Sequence, residues 1–483
     1  MFSSRGDDPP DPPAASAFAR RAGHAALAAT LLACALIGPL SPGLARAAKA
    51  KPSYPVLQSH PVTGTPHFPV KTKATEQVRQ LVQCGGLMYA VGRFTTIDQG
   101  RHSYTRHNAF SFRASAPFTV TSWNPDVNGE VNSITFVAGH CENAYLGGSF
   151  TKVRQAQARN IAEVSTAGQG VLEKKFAHVA GGPVETLAAY KTHILAGGYF
   201  FEINGSGADR FMASLNDRTG RDDGLLRLHI SGHYSYPGVA QNGTRIYNQQ
   251  LSHSGKLDLV EGDFTTAGGK KRRQIFMLNL GSKPRATVTG WSSPRFDGGS
   301  GYPPHGYFYN CTGAEPFYIR SAAWSPNDGT VYVASTGYRP WNYKSGYPLA
   351  GLCDMAAAFT ANQHFASLKW INYDGCYSLY SVAADSHTAY FAGHELWSQA
   401  PNGCKKFHLD PHAISAPGFE GLAPRTGRLI FNPTRSRGLG ADDLLVTNAG
   451  LWIASDNFGG SQMCGKVNGL AGICLLPYRK SGR

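Results

Sequence analysis

The sequence predicts an all-β protein, a disulfide-braced β-propeller of seven four-stranded blades. Three observations carry that expectation. A strand–Gly-x-Phe–turn–strand pattern recurs, aromatics and glycines are abundant while charges are sparse, and the cysteines beyond an N-terminal leader are even in number. Of 483 residues, 42% are hydrophobic, 11% aromatic and only 16% charged, and 56 are Gly. A disordered chain would invert that balance. Turn-rich glycine among aromatics, without long runs of helix formers, reads as strands.

The repeat is clearest in residues 87–96, 144–151, 194–200 and 257–266. Each is an apolar strand ending in Gly-x-Phe, at Phe94, Phe150, Phe200 and Phe264, spaced 56, 50 and 64 residues apart. That interval suits one propeller blade. Third strands follow at 108–112, 160–164, 211–215 and 274–280, and fourth strands end in Trp123, Phe176 and Trp291. Such a sheet cannot bury its own faces, whereas stacking in a ring buries both and limits exposed edges. The glycines would let backbones approach closely near the central channel.

Three diverged units follow, opening at 322–337, 379–394 and 444–456. The predicted blades are 78–130, 131–183, 184–244, 245–299, 317–373, 378–437 and 441–477. The last looks one strand short, and residues 54–70, within an N-terminal segment 48–77, are expected to supply it as a clasp. Residues 478–483 form a basic tail.

Residues 1–47 read as a signal peptide. Arg20 and Arg21 precede an apolar run over 25–40, then Pro42, Gly43 and the small-residue pattern Ala45-Arg46-Ala47. The order fits a secretory leader, and the run is short for a membrane span. Export by the twin-arginine route, or as a lipoprotein through Leu31-Leu32-Ala33-Cys34, stays open. The mature chain is expected to be secreted and extracellular, possibly wall-associated, without a membrane span, and monomeric.

Removing Cys34 leaves Cys84, Cys141, Cys311, Cys353, Cys376, Cys404, Cys464 and Cys474. An even count in an exported chain reads as disulfides, and no CxxC pair suggests zinc. Cys84 and Cys141 occupy equivalent turns of neighbouring units and are expected to bridge. Cys464 with Cys474, Cys311 with Cys353 and Cys376 with Cys404 are the simplest remaining pairs.

The formal net charge is +15, which predicts salt-sensitive adhesion to anionic surfaces. The cluster Lys270-Lys271-Arg272-Arg273 is either a polyanion contact or a solvated turn between strands, and its place after Gly268-Gly269 favours the turn.

Several motifs resemble a known family. The turn Gly262-Asp263-Phe264-Thr265-Thr266, the stretch 392–397, the segments 435–441 and 450–456, and Ser325-Pro326-Asn327-Asp328-Gly329 with Leu352-Cys353-Asp354 downstream look like uncharacterised secreted actinobacterial β-propeller proteins. Their repeats are of the delta-60, or Gly-Asp-Phe-Thr, type. The resemblance spans about residues 78–477 and implies fold and export, but no activity. Residues 246–257 are degenerate, and no appended module is visible.

Functional candidates lie where the repeat is interrupted. His394, Glu395 and Trp397 stand where earlier units have Gly-x-Phe, and a His beside a carboxylate can do acid–base work. Tyr338, Arg339, Trp341 and Tyr343 form an aromatic loop of the kind that meets sugars or proteins. Asp354, Asp374, Asp442, Asp443 and Asp456 lack EF-hand spacing, so Ca2+ is possible but unsupported. No catalytic set, metal-ligand set or cofactor motif is predicted. The expected function is a non-catalytic binding or scaffold module at the cell envelope, for glycan, anionic wall polymer or another protein. Specific nucleic-acid binding is not expected. The alternative is an extracellular hydrolase or lyase at the mouth of the channel. Three or more titratable side chains converging in one funnel would favour the enzyme. A funnel of Gly, Ala and backbone would favour binding.

Overall fold

The repeated pattern folds into antiparallel meanders whose middle strands are buried on both faces. Leu257–Asp263, Thr330–Ser335 and Gly450–Ala454 have every residue buried, as expected of a sheet stacked between two neighbours. The computed structural model describes residues 56–71, 76–207, 210–233, 243–296, 317–337, 351–374, 377–405, 408–433, 438–458 and 471–479. All fall within one unit, Pro55–Arg483.

Among the described residues, seven sheets of three or four strands follow one another along the chain. Their first strands are Gln77–Cys84, Glu130–Thr135, Val184–Tyr190, Arg245–Leu251, Ile319–Trp324, Leu379–Ala384 and Asp443–Thr447. The first strands of successive sheets lie side by side, and that of the seventh lies beside that of the first. This is the sheet arrangement of a β-propeller. The only helical element described is the single turn Pro294–Phe296, and no described helix is long and apolar enough to cross a membrane.

Four regular strands per sheet is too generous. The fourth, fifth and sixth sheets have them. In the first three, the outer strand shrinks to single bridges, Phe112 to Val120, Val164 to Leu172 and Leu215 to Asp222. An outermost strand has one neighbour and gains little from length, while a short edge resists pairing with other chains. Beside Ile473–Pro477 of the seventh sheet runs the N-terminal segment. Gln58 N–H donates to Pro477 O at 2.8 Å and Val62 N–H to Leu475 O at 3.0 Å.

The core is split into seven buried clusters, each drawn mainly from two successive sheets. One combines Tyr89 and Val91 of the first sheet with Ile134 and Leu146 of the second. Another joins Trp452 and Leu475 of the seventh to Val78 and Met88 of the first. Polar side chains stitch the first strands together. Gln80 Oε1 accepts from Ile134 N–H at 2.7 Å, Ser133 Oγ from Leu187 N–H at 2.9 Å, and Asp443 Oδ2 from Leu81 N–H at 2.8 Å.

Cys84 and Cys141 are disulfide-bonded, joining residues 57 apart in sequence. Cys353 and Cys474 each take part in a disulfide as well. Cys311, Cys376 and Cys464, and the side chain of Cys404, lie outside the described residues. Lys270–Lys271 is one arm of a small hairpin with Thr266–Ala267. There Lys270 Nζ donates to Val288 O at 2.7 Å, and the buried Arg272 donates from Nη2 to Thr289 O at 2.6 Å.

Candidate functional site

Six of the seven first strands carry a β-bulge at the same place. The extra residues are Arg79, Asn132, Glu185, Tyr247, Arg320 and Tyr380. Asp442 holds the matching place ahead of the seventh strand, its N–H donating to Ala454 O at 3.0 Å. A bulge leaves one residue out of the ladder and re-aims its side chain.

The repeat's glycine explains why the bulge is possible. Facing it on the second strand stand Gly92, Gly148, Gly198, Gly262 and Gly393. A Cβ on Gly92 would sit 2.0 Å from Gln77 O, and one on Gly262 2.2 Å from Arg245 O. Only glycine admits so close a backbone approach. In five sheets the bulge thus goes with the Gly of Gly-x-Phe, while in the fifth Ser335 faces it, and each bulge turns one side chain out of the ladder.

The seven side chains are all half-buried, and they interact across sheets. Arg79 is clamped. Its Nε donates to Glu130 Oε1 at 2.7 Å and its Nη1 to Asp442 Oδ2, tying the first sheet to the second and seventh. Burial works against its charge, but Asp442 and Glu130 overcome that and hold the guanidinium above its ordinary pKa. Asn132 Nδ2 donates to Glu185 Oε2 at 2.9 Å. Burial raises the Glu185 pKa, while Arg245, Arg320 and Arg79 draw it back down. Glu185 of the third sheet thus feels arginines of the fourth, fifth and first. Members of neighbouring sheets also touch directly, Arg79 with Asp442, Asn132 with Glu185 and Arg320 with Tyr247, which places them around one common space.

The opposite side of that space is less committed. The Arg320 guanidinium lies 4.5 Å from the centroid of the Tyr247 ring, and no carboxylate is within ion-pair distance of it among the described residues. Tyr247 and Tyr380 are each pushed up to about 12, chiefly by burial, so both phenols stay protonated as donors. Arg245 lies 5.0 Å over Tyr199 and pairs across its sheet with the buried Asp263.

Of the residues singled out from sequence, Asp442 belongs to the ring, and the others lie elsewhere or outside the described set. Tyr338, Arg339, Trp341 and Tyr343 are among residues not described. His394 is half-buried, its N–H donating to Ser378 O at 2.7 Å and its ring edge-on to Tyr377 at 5.6 Å. Trp397 is half-buried in the two-residue strand Trp397–Ser398, paired with Ile414–Ser415. Glu395 is fully buried, so it belongs to the interior and not to a surface contact.

Glu395 exposes a substitution in the repeat. Gly393-His394-Glu395 aligns with Gly92-Arg93-Phe94, and ladder register aligns Glu420 with Phe110. In the first sheet those positions hold the edge-on pair Phe94–Phe110 at 5.7 Å, and in the fourth Phe264–Phe276 at 5.2 Å. In the sixth both are glutamates, joined by Asp374, and all three are fully buried. Burial holds the Asp374 carboxyl well above the carboxylate range, and Glu420, Glu395 and Asp354 push it further. Glu420 is raised as well, again through burial. Protonated carboxyls are what such a cluster can sustain. Among the described residues no group of three or more His, Cys, Asp or Glu could hold a metal ion.

Sequence reading missed the bulge ring because its seven members follow no consensus: two are Arg, two Tyr, and the others Asn, Glu and Asp. The findable signal was positional: each stands one residue after the apolar residue that opens the strand.

No family model matches the chain, and no curated protein matches it. Solved structures are similar only in fold. The WD40 β-propeller domain of Doa1 is 10% identical at a TM-score of 0.41, covering 86% of this chain and 98% of its own. A protein described as a 6-phosphogluconolactonase from Bacteroides uniformis is 13% identical at 0.40, covering 79% of this chain and 90% of its own. The extracellular domain of a one-component system of B. thetaiotaomicron is 10% identical at 0.41, covering 86% of this chain and 40% of its own. At these values nothing about function carries over.

Proposed function

We propose that this chain is a secreted binding module, a β-propeller of seven blades whose bulge ring forms a ligand site at the axial mouth. Its repeats are of the delta-60 type, and residues 54–70 close the ring as a clasp against the last blade. The seven interleaved cores and the hydrogen bond from Leu81 N–H to Asp443 support the closure. The expected ligands are glycans or anionic wall polymers outside the cell.

One observation carries this reading: seven half-buried polar side chains, one per sheet, stand at equivalent bulges with neighbours in contact, and Tyr247, Arg320 and Tyr380 make no side-chain hydrogen bond among the described residues. Convergence of titratable groups by itself would favour an enzyme. Their pairing tells against it. Acid–base hydrolysis of a glycoside needs two free carboxyl groups flanking the bond. Here Asp442 and Glu130 are taken by Arg79, which leaves Glu185. A lyase with a tyrosinate as base is disfavoured, since burial holds both phenols protonated.

Retention of the leader-free chain on cell-wall polymers and glycan arrays at low salt tests the proposal. Salt-sensitive retention on at least one polyhydroxylated surface is expected. No retention on any of them would overturn it.

A further inference from the structure

Resting on that reading, we propose that the ring is selective for an oxyanion carried on a polyhydroxylated ligand, with Arg320 as the anchor of the anion and Glu185 as acceptor for its hydroxyls. The two arginines at equivalent bulges define the choice. Arg79 has its charge neutralised by two carboxylates, Glu130 and Asp442, with two of its five N–H donors committed to them, so it offers little net charge to an anion. Arg320 stands at the same place in the fifth sheet, stacked on Tyr247, and without an ion-pair partner among the described residues.

A guanidinium held over a ring face by its central carbon spends no N–H on an acceptor there, and its planar N–H edge matches a carboxylate or phosphate in a two-pronged contact. Loss of water around a half-buried site strengthens the contact. Glu185 stands at the equivalent bulge of the third sheet and makes no ion pair with Arg320 among the described residues. Asn132 holds that carboxylate by one oxygen, which leaves acceptor capacity for ligand hydroxyls. Tyr380, which feels both Arg320 and Asp442, adds a phenol donor. A cationic end, an acceptor and two phenols suit a sugar acid or a polyol phosphate better than a neutral sugar.

Titration calorimetry at low salt would use four probes: digalacturonate, its methyl ester, glycerol phosphate oligomers and a neutral disaccharide. The wild type should bind one or both anions at least about tenfold more tightly than the neutral probes, with affinity falling as salt rises. Which anion wins tells a carboxylate source from a phosphate source. Arg320→Gln should lose about tenfold or more toward the anion, as expected for a charge-assisted pair, while its unfolding midpoint stays near wild type. Arg320→Lys should recover only part, since a point charge lacks the two-pronged edge. Equal binding of neutral and anionic probes, or an Arg320→Gln variant that binds like wild type, would overturn the inference while leaving the binding-module reading intact. No binding of any probe would overturn both.

Discussion

Arg79 and Arg320 occupy the same bulge of the same repeat, yet the fold uses them in opposite ways. Arg79 is sandwiched between carboxylates of the two adjacent sheets. Arg320 lies over an aromatic ring with no carboxylate in ion-pair range among the described residues. One therefore locks the place where the first, second and seventh sheets meet, and the other waits in the half that is electrostatically unfinished. An identical backbone device can serve closure on one side of an axis and recognition on the other.

The largest test of that contrast is Arg79→Ala. Removing one partner of a buried or half-buried charge cluster strands the others, here Glu130 and Asp442, and costs about 3–5 kcal/mol. The side chain is 32% exposed, so the lower end is expected in chemical denaturation. A loss below about 1 kcal/mol would mean that Arg79 is as idle as Arg320. Next is the bridge between Cys84 and Cys141, which ties the first sheet to the second at the opposite end of their first strands. Its loss in Cys84→Ser with Cys141→Ser should cost about 2–4 kcal/mol, measured in the same way.

A smaller effect concerns the other interior departure from the repeat. Glu420 is buried with its pKa raised above its unfolded value. The folded state therefore holds more protons than the unfolded one as pH rises from the ordinary carboxylate range. Its stabilising contribution is complete below that range and is lost with rising pH. Glu420→Gln should raise the unfolding free energy at pH 8, by on the order of 1–2 kcal/mol, and change it little at pH 4. An equal effect at both values would show that the carboxyl does not titrate between them. Smallest is Tyr380→Phe, within about 0.5 kcal/mol in stability, because its phenol makes no hydrogen bond among the described residues.

Much of the architecture could be read from the chain. Spacing of Phe94, Phe150, Phe200 and Phe264 located four sheets, and the equivalent turns of Cys84 and Cys141 located their bridge. The glycine of Gly-x-Phe was visible, but its consequence was not. A bulge depends on how two backbones meet, and the side chain it redirects varies from Arg to Asn to Glu to Tyr. Glu395 was noticed for the wrong reason. Its neighbour His394 suggested acid–base chemistry, whereas its partners are Asp374 and Glu420, which come from distant strands and a different periodicity. The shortened outer strands of the first three sheets were equally hidden, because nothing local to residues 119–121 or 171–173 distinguishes one bridge from a ladder.

The most direct test of the central claim is arginine-specific modification by phenylglyoxal, read residue by residue by mass spectrometry, with and without a saturating anionic saccharide. Arg320 should react in the free protein and be protected when the saccharide is bound, while Arg79 should react little in either state. Equal reactivity of the two arginines, or an Arg320 that the bound saccharide fails to protect, would contradict an axial recognition site.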